Sequence, residues 1–402
     1  MWLLVFLFLV TTFALAWTMF GYFIVIWVMG LLRGKTAPEF PDTWPFLSIV
    51  IPCFNEQSDI IKKLENVRKL DYPKDKLEVV FADGGSTDAT ISLLEKNIRG
   101  DEPYNVYKCS ASGKINQLNT VLPSLKGEII VSADADTIME PDSLKWIVAE
   151  FSVSPEIEIV GAYVSPESSM NVELYYWDSQ NKARLMESDA YSSSIVVAPC
   201  FAFRNGFIDS FPEDVVADDV YISGLAHSRG RRVVYSRLVK AVETRTPKNY
   251  NEFLPHKFRK SNAVLRESIR FLYLLPDMSF FGKMMTITRM AQQLFLPWGM
   301  LWWLALAGSL MTIFPVVRYD IVLFCTLTLL VLLLATARIF ASVKLPEGVK
   351  PRKYTSAVAL EGYFVTIFIL LMTGLSYLFY TQNSNYNRLS AKGDWNEKKQ
   401  GR

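Results

Sequence analysis

The stretch Glu128-Ile129-Ile130-Val131-Ser132-Ala133-Asp134-Ala135-Asp136 carries the strongest structural signal in this chain. Its apolar first half predicts a buried strand, and two carboxylates follow where that strand ends. Because residues i and i+2 of an extended segment point the same way, Asp134 and Asp136 are expected to converge on one site. Such hard oxygen ligands suit Mg²⁺ or Mn²⁺ bound to a diphosphate, although a solvated turn can carry the same pattern.

Two similar β-branched runs precede this stretch, at Leu47-Ser48-Ile49-Val50-Ile51 and Leu77-Glu78-Val79-Val80-Phe81. Helical stretches separate the runs, and this alternation predicts a doubly wound, largely parallel α/β sheet between about residues 34 and 275. Ligands of such sheets bind outside the carboxyl ends of the strands. The candidate site residues should therefore follow the strands.

The end of the second strand is Asp83-Gly84-Gly85-Ser86-Thr87-Asp88. Two glycines let the backbone approach a ligand closely, and the Asp83 carboxylate can accept a hydrogen bond from a nucleoside base. The alternative is an ordinary β–α turn in which Asp88 caps the next helix. The chain has no G-x-G-x-x-G segment, which argues against a dinucleotide site.

The composition indicates two environments. Half of the 402 residues are hydrophobic and 20% are charged, and the mean hydropathy is +0.18. A net charge of +2 gives no basic field, so a nucleic-acid partner is not expected. The four cysteines are widely spaced and there are only two histidines, which argues against a zinc site or a disulfide framework.

The uncharged segment 2–32 is long enough to cross a bilayer and predicts an N-terminal transmembrane helix over 1–33. A signal peptide is the competing interpretation, but no basic n-region precedes the apolar run. Three further spans are predicted between 293 and 381, at about 293–315, 320–337 and 358–380. A polar tail occupies 382–402.

The basic residues Arg33 and Lys35 predict that the soluble domain, 34–261, is cytosolic. Four spans would place the basic tail on the external face, whereas basic residues favour the cytosolic face. The side of the membrane on which the tail lies is therefore left open. Apolar residues at helical spacing over 262–275 predict an amphipathic helix in the membrane interface, within an interfacial unit at 262–292. A surface helix packed on the core would show the same periodicity.

Four motifs in order resemble those of family 2 glycosyltransferases, over roughly residues 46–262. They are Ile51-Pro52-Cys53-Phe54-Asn55-Glu56, Asp83-Gly84-Gly85-Ser86-Thr87-Asp88, Gly113-Lys114-Ile115-Asn116-Gln117-Leu118-Asn119 and Asp134-Ala135-Asp136. The resemblance implies a GT-A fold, the Rossmann-like mixed α/β sheet of nucleotide-diphospho-sugar transferases, here joined to α-helical transmembrane segments. It also implies inversion at the anomeric carbon.

The same resemblance implies roles for individual residues. Metal binding falls to Asp136 together with Asp134, and donor binding to Pro52, Glu56, Asp83, Lys114, Asp134 and Arg259. The pair Asp218-Asp219 resembles the family's Glu-Asp pair at a helix start, which makes Asp219 the general base and places Asp218 on the acceptor side. A displacement at an anomeric carbon needs such a base, whereas helix capping is the commoner role of acidic pairs.

Two further segments match the family in part. Ala198-Pro199-Cys200-Phe201-Ala202-Phe203-Arg204 is similar to a segment beside the acceptor, which places Cys200 and Phe201 there, but Asn205 stands where the family has a second arginine. His256-Lys257-Phe258-Arg259-Lys260 resembles Gln-x-x-Arg-Trp and keeps only Arg259. Arg259 and Lys257 could hold the departing diphosphate, or they could form a basic patch facing anionic lipid.

These observations predict an inverting, metal-dependent glycosyltransferase that moves a sugar from a nucleotide-sugar, expected to be a UDP-sugar, to a membrane-associated, lipid-linked acceptor. It is expected to be an integral multi-pass protein, of the cell membrane if prokaryotic. Lys260, on the acceptor side, stands where processive relatives carry a tryptophan, so a non-processive enzyme is expected.

Three alternatives stay open beside this prediction: a processive polysaccharide synthase, a nucleotide-binding membrane scaffold and a transporter. A decayed scaffold would have lost site carboxylates, and a transporter would place ionisable groups inside its spans. The oligomeric state and the donor sugar are left open.

Overall fold

The computed structural model describes residues 2–34, 36–313, 315–377 and 379, so the predicted polar tail lies outside the described residues. Its central feature is one eight-stranded sheet. The strands are β1 Leu47–Cys53, β2 Leu77–Asp83, β3 Tyr104–Lys108, β4 Ile129–Ala133, β5 Thr137–Met139, β6 Ile157–Pro166, β7 Cys200–Arg204 and β8 Arg232–Glu243.

The strand order is β3-β2-β1-β4-β7-β6-β8-β5, and the sheet is mixed. The first four strands in that order are parallel, while β7 runs antiparallel between β4 and β6 and β5 runs antiparallel to β8. The fold-class prediction is confirmed, but the sheet is less parallel than the alternation of strands and helices suggested. The register pairs Ala133 with Cys200, which brings the end of β4 beside the start of β7.

Helices cover both faces of the sheet and enclose two apolar cores. They are α3 Ile60–Arg68, α4 Thr90–Asn97, α5 Lys114–Val121, α6 Ser143–Ser152, α7 Asn171–Ala190, α8 Asp218–Ser228 and α9 Tyr250–Arg270, after α1 Trp2–Ala16 and α2 Tyr22–Leu32. Helix α5 begins after Gly113, whose φ of 104° favours glycine. Asn249 caps the start of helix α9, because its side chain accepts a hydrogen bond from the backbone N–H of Glu252.

Four helical segments among the described residues are long and apolar enough to cross a membrane: Trp2–Leu32, Leu296–Ile313, Tyr319–Ser342 and Ser356–Ser376. The last three belong to α11 Leu296–Ile313, α12 Pro315–Ser342 and α13 Ser356–Ser376, and α10 Phe280–Leu294 precedes them. All four segments overlap the spans predicted from the sequence.

A π-helical turn, Trp17–Gly21, joins α1 to α2. Such a turn releases a backbone carbonyl from the regular hydrogen-bond ladder, and here Gln292 Nε2 of α10 donates to Thr18 O at 2.8 Å. The indole of Trp17 donates to Thr288 Oγ1 at 3.0 Å. The N-terminal segment is therefore fixed to α10 by specific polar contacts as well as by apolar packing.

The predicted boundary between residues 261 and 262 falls inside α9, which continues to Arg270. In the first part of the predicted interfacial segment, Ala263 and Leu265 are buried, which agrees with a helix packed on the core. Farther on, Tyr273 is 75% exposed and Phe280 is 82% exposed. The apolar surface available to a membrane interface lies in the turn after α9 and at the start of α10.

Candidate active site

The loop after β2 is organised by Asp83. Its Oδ2 accepts hydrogen bonds from the backbone N–H groups of Gly85 at 2.9 Å and Ser86 at 3.0 Å, and its Oδ1 accepts from the Ser86 hydroxyl. Gly85 has a φ of 87°. Both oxygens of the Asp83 carboxylate thus stabilise its own turn, and the side chain is 1% exposed.

Lys114 joins three segments that are far apart in the sequence. Its Nζ lies 2.8 Å from Asp134 Oδ1, 2.9 Å from Asp218 Oδ2 and 3.3 Å from the carbonyl oxygen of Ala198. Burial lowers the pKa of Lys114, but the two carboxylates outweigh burial and hold it above the ordinary lysine value. The ammonium therefore stays charged and holds the ends of β4 and α8 together.

Asp219 lies next to Asp218 at the start of α8. Its Oδ2 accepts from the backbone N–H of Ala198 at 3.0 Å, and its Oδ1 accepts from that of Val220 at 3.0 Å. Burial raises the pKa of Asp219, while Lys114 and the two backbone donors oppose the rise. A half-buried carboxylate held in one orientation, with a raised pKa, suits a group that takes a proton.

The neighbouring Asp218 is itself buried, with 5% of its surface exposed. Its pKa is raised to about 6, chiefly by burial and also by the charges of Asp219 and Asp134, while Lys114 opposes the rise. Asp218 is therefore the direct partner of Lys114, whereas the Asp219 oxygens are held by backbone donors. The two aspartates have separate tasks in this geometry.

Arg245, which the sequence analysis did not identify, neutralises the carboxylates around Asp136. Its guanidinium contacts Glu56 through both terminal nitrogens, lies 2.7 Å from Asp59 and lies 3.6 Å from Asp136 Oδ2. The only sequence signal was a cation two residues after the end of β8. Burial raises the pKa of Asp136 to about 7, although Arg245 opposes the rise.

We expect Arg245→Met to destabilise the protein by about 3–5 kcal/mol at neutral pH, because it leaves three carboxylates without their common cation. In the native protein burial raises the pKa of Asp136 to about 7 and Arg245 opposes the rise, so without Arg245 this pKa moves higher, and the loss of stability should grow as pH rises through about 7 and shrink in acid. Thermal unfolding between about pH 5 and pH 8 measures this trend. The exposed pair of Lys145 and Asp71 supplies the control, since Lys145→Met should cost at most about 1 kcal/mol. A pH-independent loss would contradict the prediction.

The residues at the end of β4 fit a divalent cation only with help from the substrate. Among the described residues, no group of three His, Cys, Asp or Glu side chains is placed to hold a metal ion. Asp134 and Asp136 supply two carboxylates, and Mg²⁺ usually binds one or two protein carboxylates together with substrate phosphates. The donor set therefore suits a cation that arrives with a diphosphate.

Two residues predicted to lie beside the acceptor are part of the core. Cys200 and Phe201 are both 0% exposed, on opposite faces of β7. Their neighbours Ala198 and Pro199 line the cavity described below. Within this segment, Ala198 and Pro199 are therefore the residues placed to contact an acceptor.

The cations of α9 differ from the arrangement suggested by the sequence. Lys257 is buried and forms an ion pair with Glu173 at 2.7 Å, with its Nζ 4.0 Å from the centre of the Tyr176 ring. It is therefore already neutralised inside the protein and is not placed to hold a departing diphosphate. Lys260 lies 3.7 Å from Glu243 Oε1 and 5.7 Å from the centre of the Trp177 ring.

One cavity of about 1040 Å³ connects this site to the apolar helices. At one end it is lined by Lys114, Asp134, Asp136, Asp218, Asp219, Arg259 and Lys260. At the other end it is lined by residues of α2, α10, α12 and α13, among them Phe23, Gln293, Thr336 and Thr366. Pro52, Glu56 and Asp83 are not among its lining residues, so the predicted donor residues divide into a group inside the cavity and a group beside it.

A mixed α/β sheet with this strand order, in which acidic residues follow the ends of the strands, identifies the fold class as that of the nucleotide-sugar transferases. The solved structure of the mannosyltransferase PcManGT from Pyrobaculum calidifontis, in complex with GDP-Man and Mn2+, superposes with a TM-score of 0.67 and 21% sequence identity. The match covers 93% of this chain and 99% of that one. It therefore includes the helical segments as well as the sheet.

Residues 48–211 match the model of Glycosyl transferase family 2, and the chain carries a glycosyltransferase domain of that family. The resemblance found in the sequence is thus confirmed. A β-monoglucosyldiacylglycerol synthase of a Nostoc species is 33% identical over 150 residues, which are 37% of this chain and 31% of that protein.

A transferase from Methanococcus voltae is 32% identical over 136 residues, covering 32% of this chain and 42% of that protein; its name describes transfer of a diacetamido-dideoxy-glucuronosyl group to dolichyl N-acetyl-α-D-glucosaminyl phosphate. The poly-β-1,6-N-acetyl-D-glucosamine synthase of Staphylococcus aureus is 23% identical over 48% of each chain. This chain thus spans about a third to a half of the length of these relatives.

Proposed function

We propose that this protein transfers a sugar from a nucleotide-sugar to a lipid-linked acceptor at the membrane, with inversion at the anomeric carbon. The observation that carries the proposal is the single cavity, which runs from Asp219 and the Asp134–Asp136 loop to the apolar helices. An acceptor whose lipid part lies among those helices can present its reactive hydroxyl to the acidic end. A soluble acceptor would not need this connection.

We assign binding of the donor nucleotide-sugar to the residues that follow the strands. Lys114, Asp134 and Asp136 line one end of the cavity, the resemblance implies that they bind the nucleotide diphosphate or its cation, and a UDP-sugar is the expected donor. The PcManGT structure contains GDP-Man, so both bases belong in the first test. A divalent cation held by Asp136 and Asp134 would neutralise charge on the leaving diphosphate.

In the proposed reaction, Asp219 takes the proton of the acceptor hydroxyl as the hydroxyl oxygen attacks the anomeric carbon. The bond between that carbon and the diphosphate oxygen breaks, and the nucleoside diphosphate leaves. Lys114 fixes Asp218 and Asp134 on either side of the site, so that base and donor loop keep their relative positions. A single displacement of this kind inverts the anomeric configuration.

We propose that the chain is an integral, multi-pass membrane protein with its catalytic domain on the cytosolic face of the membrane. Four helices of suitable length and composition support membrane association. The basic residues next to the first and third of these helices, Arg33 and Lys344, support the cytosolic side.

Acceptor-dependent release of a nucleoside diphosphate tests the proposal. Purified protein should release UDP or GDP from a panel of nucleotide-sugars only when extracted membrane lipids are added, and one lipid should gain the mass of a sugar. Nucleotide binding without any release, across the whole panel, would instead indicate the membrane scaffold.

We further expect addition of one or a few sugars to each acceptor. Lys260 forms an ion pair with Glu243, and the ring of Trp177 beneath it is 5% exposed, so neither offers an open aromatic platform for a growing chain. Mass spectrometry of products formed with a large excess of donor should show a product that further donor does not extend. A ladder of long polymers would favour the processive synthase.

A further inference from the structure

One buried cation in the wall of the cavity lacks a counter-ion. Arg184, on α7, is 7% exposed and lines the cavity. Among the described residues, no carboxylate lies within ion-pair distance of its guanidinium. Its guanidinium contacts the neutral Asn181 side chain, with Nη1 3.4 Å from Oδ1, and its Nε has no hydrogen-bond partner.

Most of the other cations that line the cavity have counter-ions; Lys182 forms no ion pair among the described residues, but it is only half-buried. Carboxylates neutralise Lys114, Arg245, Lys257, Lys260, Arg289 and Arg352. A buried charge disfavours folding unless an opposite charge compensates it. For Arg184 the described residues supply neutral groups alone: the Asn181 side chain and Tyr235, whose ring centre lies 5.7 Å from the guanidinium carbon and whose side chain also hydrogen-bonds to Arg184. An anionic ligand would supply the counter-charge that these neutral groups do not.

The position of Arg184 along α7 indicates which ligand. Trp177, beside Lys260 at the acidic end, lies seven residues earlier, or about 10 Å along the helix axis. Glu187, one turn later, binds Arg289 of α10 at 2.7 Å. Arg184 thus lies between the acidic end of the cavity and the part that opens among the apolar helices.

We propose that Arg184 binds the phosphate group of a lipid acceptor. A planar guanidinium with a free Nε–H suits a phosphate oxyanion, and the apolar chain of the same lipid would extend towards α10 and α12. This inference rests on the proposed function for its biological role, and it narrows the acceptor to an anionic lipid carrier. The donor diphosphate belongs to the acidic end, beside Lys114 and Asp136.

Binding of farnesyl phosphate and farnesol to the full chain in neutral detergent tests this assignment. The two probes share a tail and differ in the phosphate. We expect Arg184→Met to weaken farnesyl phosphate binding by about 10- to 100-fold and to leave farnesol binding unchanged, with Arg184→Lys in between. The variant should fold, because it removes a buried charge that has no carboxylate partner among the described residues.

Arg232→Met is the matched control. Arg232 is also 7% exposed, but it does not line the cavity, and its Nε donates to the carbonyl oxygen of Tyr191 at 3.1 Å. This variant should bind farnesyl phosphate like the native protein. Equal losses in the two variants would overturn the proposal, as would unchanged binding in Arg184→Met.

Two additional measurements separate the possible sources of the phosphate. Inorganic phosphate should bind far more weakly than farnesyl phosphate, and saturating UDP or GDP with Mn²⁺ should not displace farnesyl phosphate. Tight binding of inorganic phosphate, or displacement by the nucleotide, would overturn the lipid assignment. None of these measurements requires sugar transfer, so failure of transfer with every donor would count against the proposed function alone.

Discussion

Asp219→Asn should reduce sugar transfer by roughly 10²- to 10⁴-fold while nucleotide binding survives. Asparagine keeps the size of the side chain and can still accept a hydrogen bond from the Ala198 N–H, but it cannot take the proton of the acceptor. Parallel measurements of transfer rate and of nucleotide affinity by calorimetry distinguish these effects. Loss of affinity in step with turnover would make Asp219 a donor ligand or a structural cap.

The pH dependence gives a second readout for the same residue. Because burial raises the pKa of Asp219, the transfer rate should fall with decreasing pH at values above the ordinary range of an aspartate. Asp219→Asn should lose this acid limb along with most of its rate. Asp214→Asn, at a carboxylate that is 71% exposed and paired with Arg270, should keep both the rate and the limb.

Removal of the Asp136 carboxylate is expected to have an effect of similar size. Asp136→Ala should lower transfer by at least about 10²-fold, because it removes an oxygen ligand of the cation. The cation is expected to stabilise the charge that develops on the leaving diphosphate by several kcal/mol. Excess chelator should stop transfer by the native protein. Full activity of Asp136→Ala in excess chelator would contradict the metal assignment.

Binding of Mn²⁺ provides a readout that does not depend on turnover. Electron paramagnetic resonance of free Mn²⁺, with UDP or GDP present, should show that Asp136→Ala binds the ion more weakly than the native protein. Asp59→Asn is the matched control, since Asp59 shares the Arg245 guanidinium with Asp136 but is not an expected metal ligand. Equal weakening in both variants would show that the loss arises from the Arg245 cluster.

Local sequence patterns were sufficient to predict the strands that carry the motifs and the apolar helices. Each of the strands β1, β2 and β4 contains one of the apolar runs identified in the sequence, and the apolar segments correspond to the long helices. These patterns report the burial of neighbouring residues, which the sequence contains directly. Helix α9 runs through the predicted boundary at 261 and packs against α13 and α8, contacts that local periodicity does not report, so the domain bounds stay a prediction.

The antiparallel strand β7 could not be predicted in the same way. The segment 198–204 was recognised by its resemblance, but its pairing with β4 and β6 joins residues separated by dozens of positions. This pairing buries Cys200 and Phe201 and turns Ala198 and Pro199 towards the cavity. Which member of a short motif reaches a ligand depends on the register, since neighbouring side chains point to opposite faces.

By itself, the sequence determined the family and the two environments of the chain, and it predicted site roles for Asp134, Asp136 and Asp219, because motif order and hydrophobic periodicity are local properties. Only the tertiary structure decided which charges meet. It showed that Lys257 is neutralised by Glu173, that Arg245 holds the carboxylates near Asp136, and that Arg184 lacks a counter-ion among the described residues. Pairing between charges depends on distances of a few ångströms and on burial, and both are set by contacts between residues far apart in the chain.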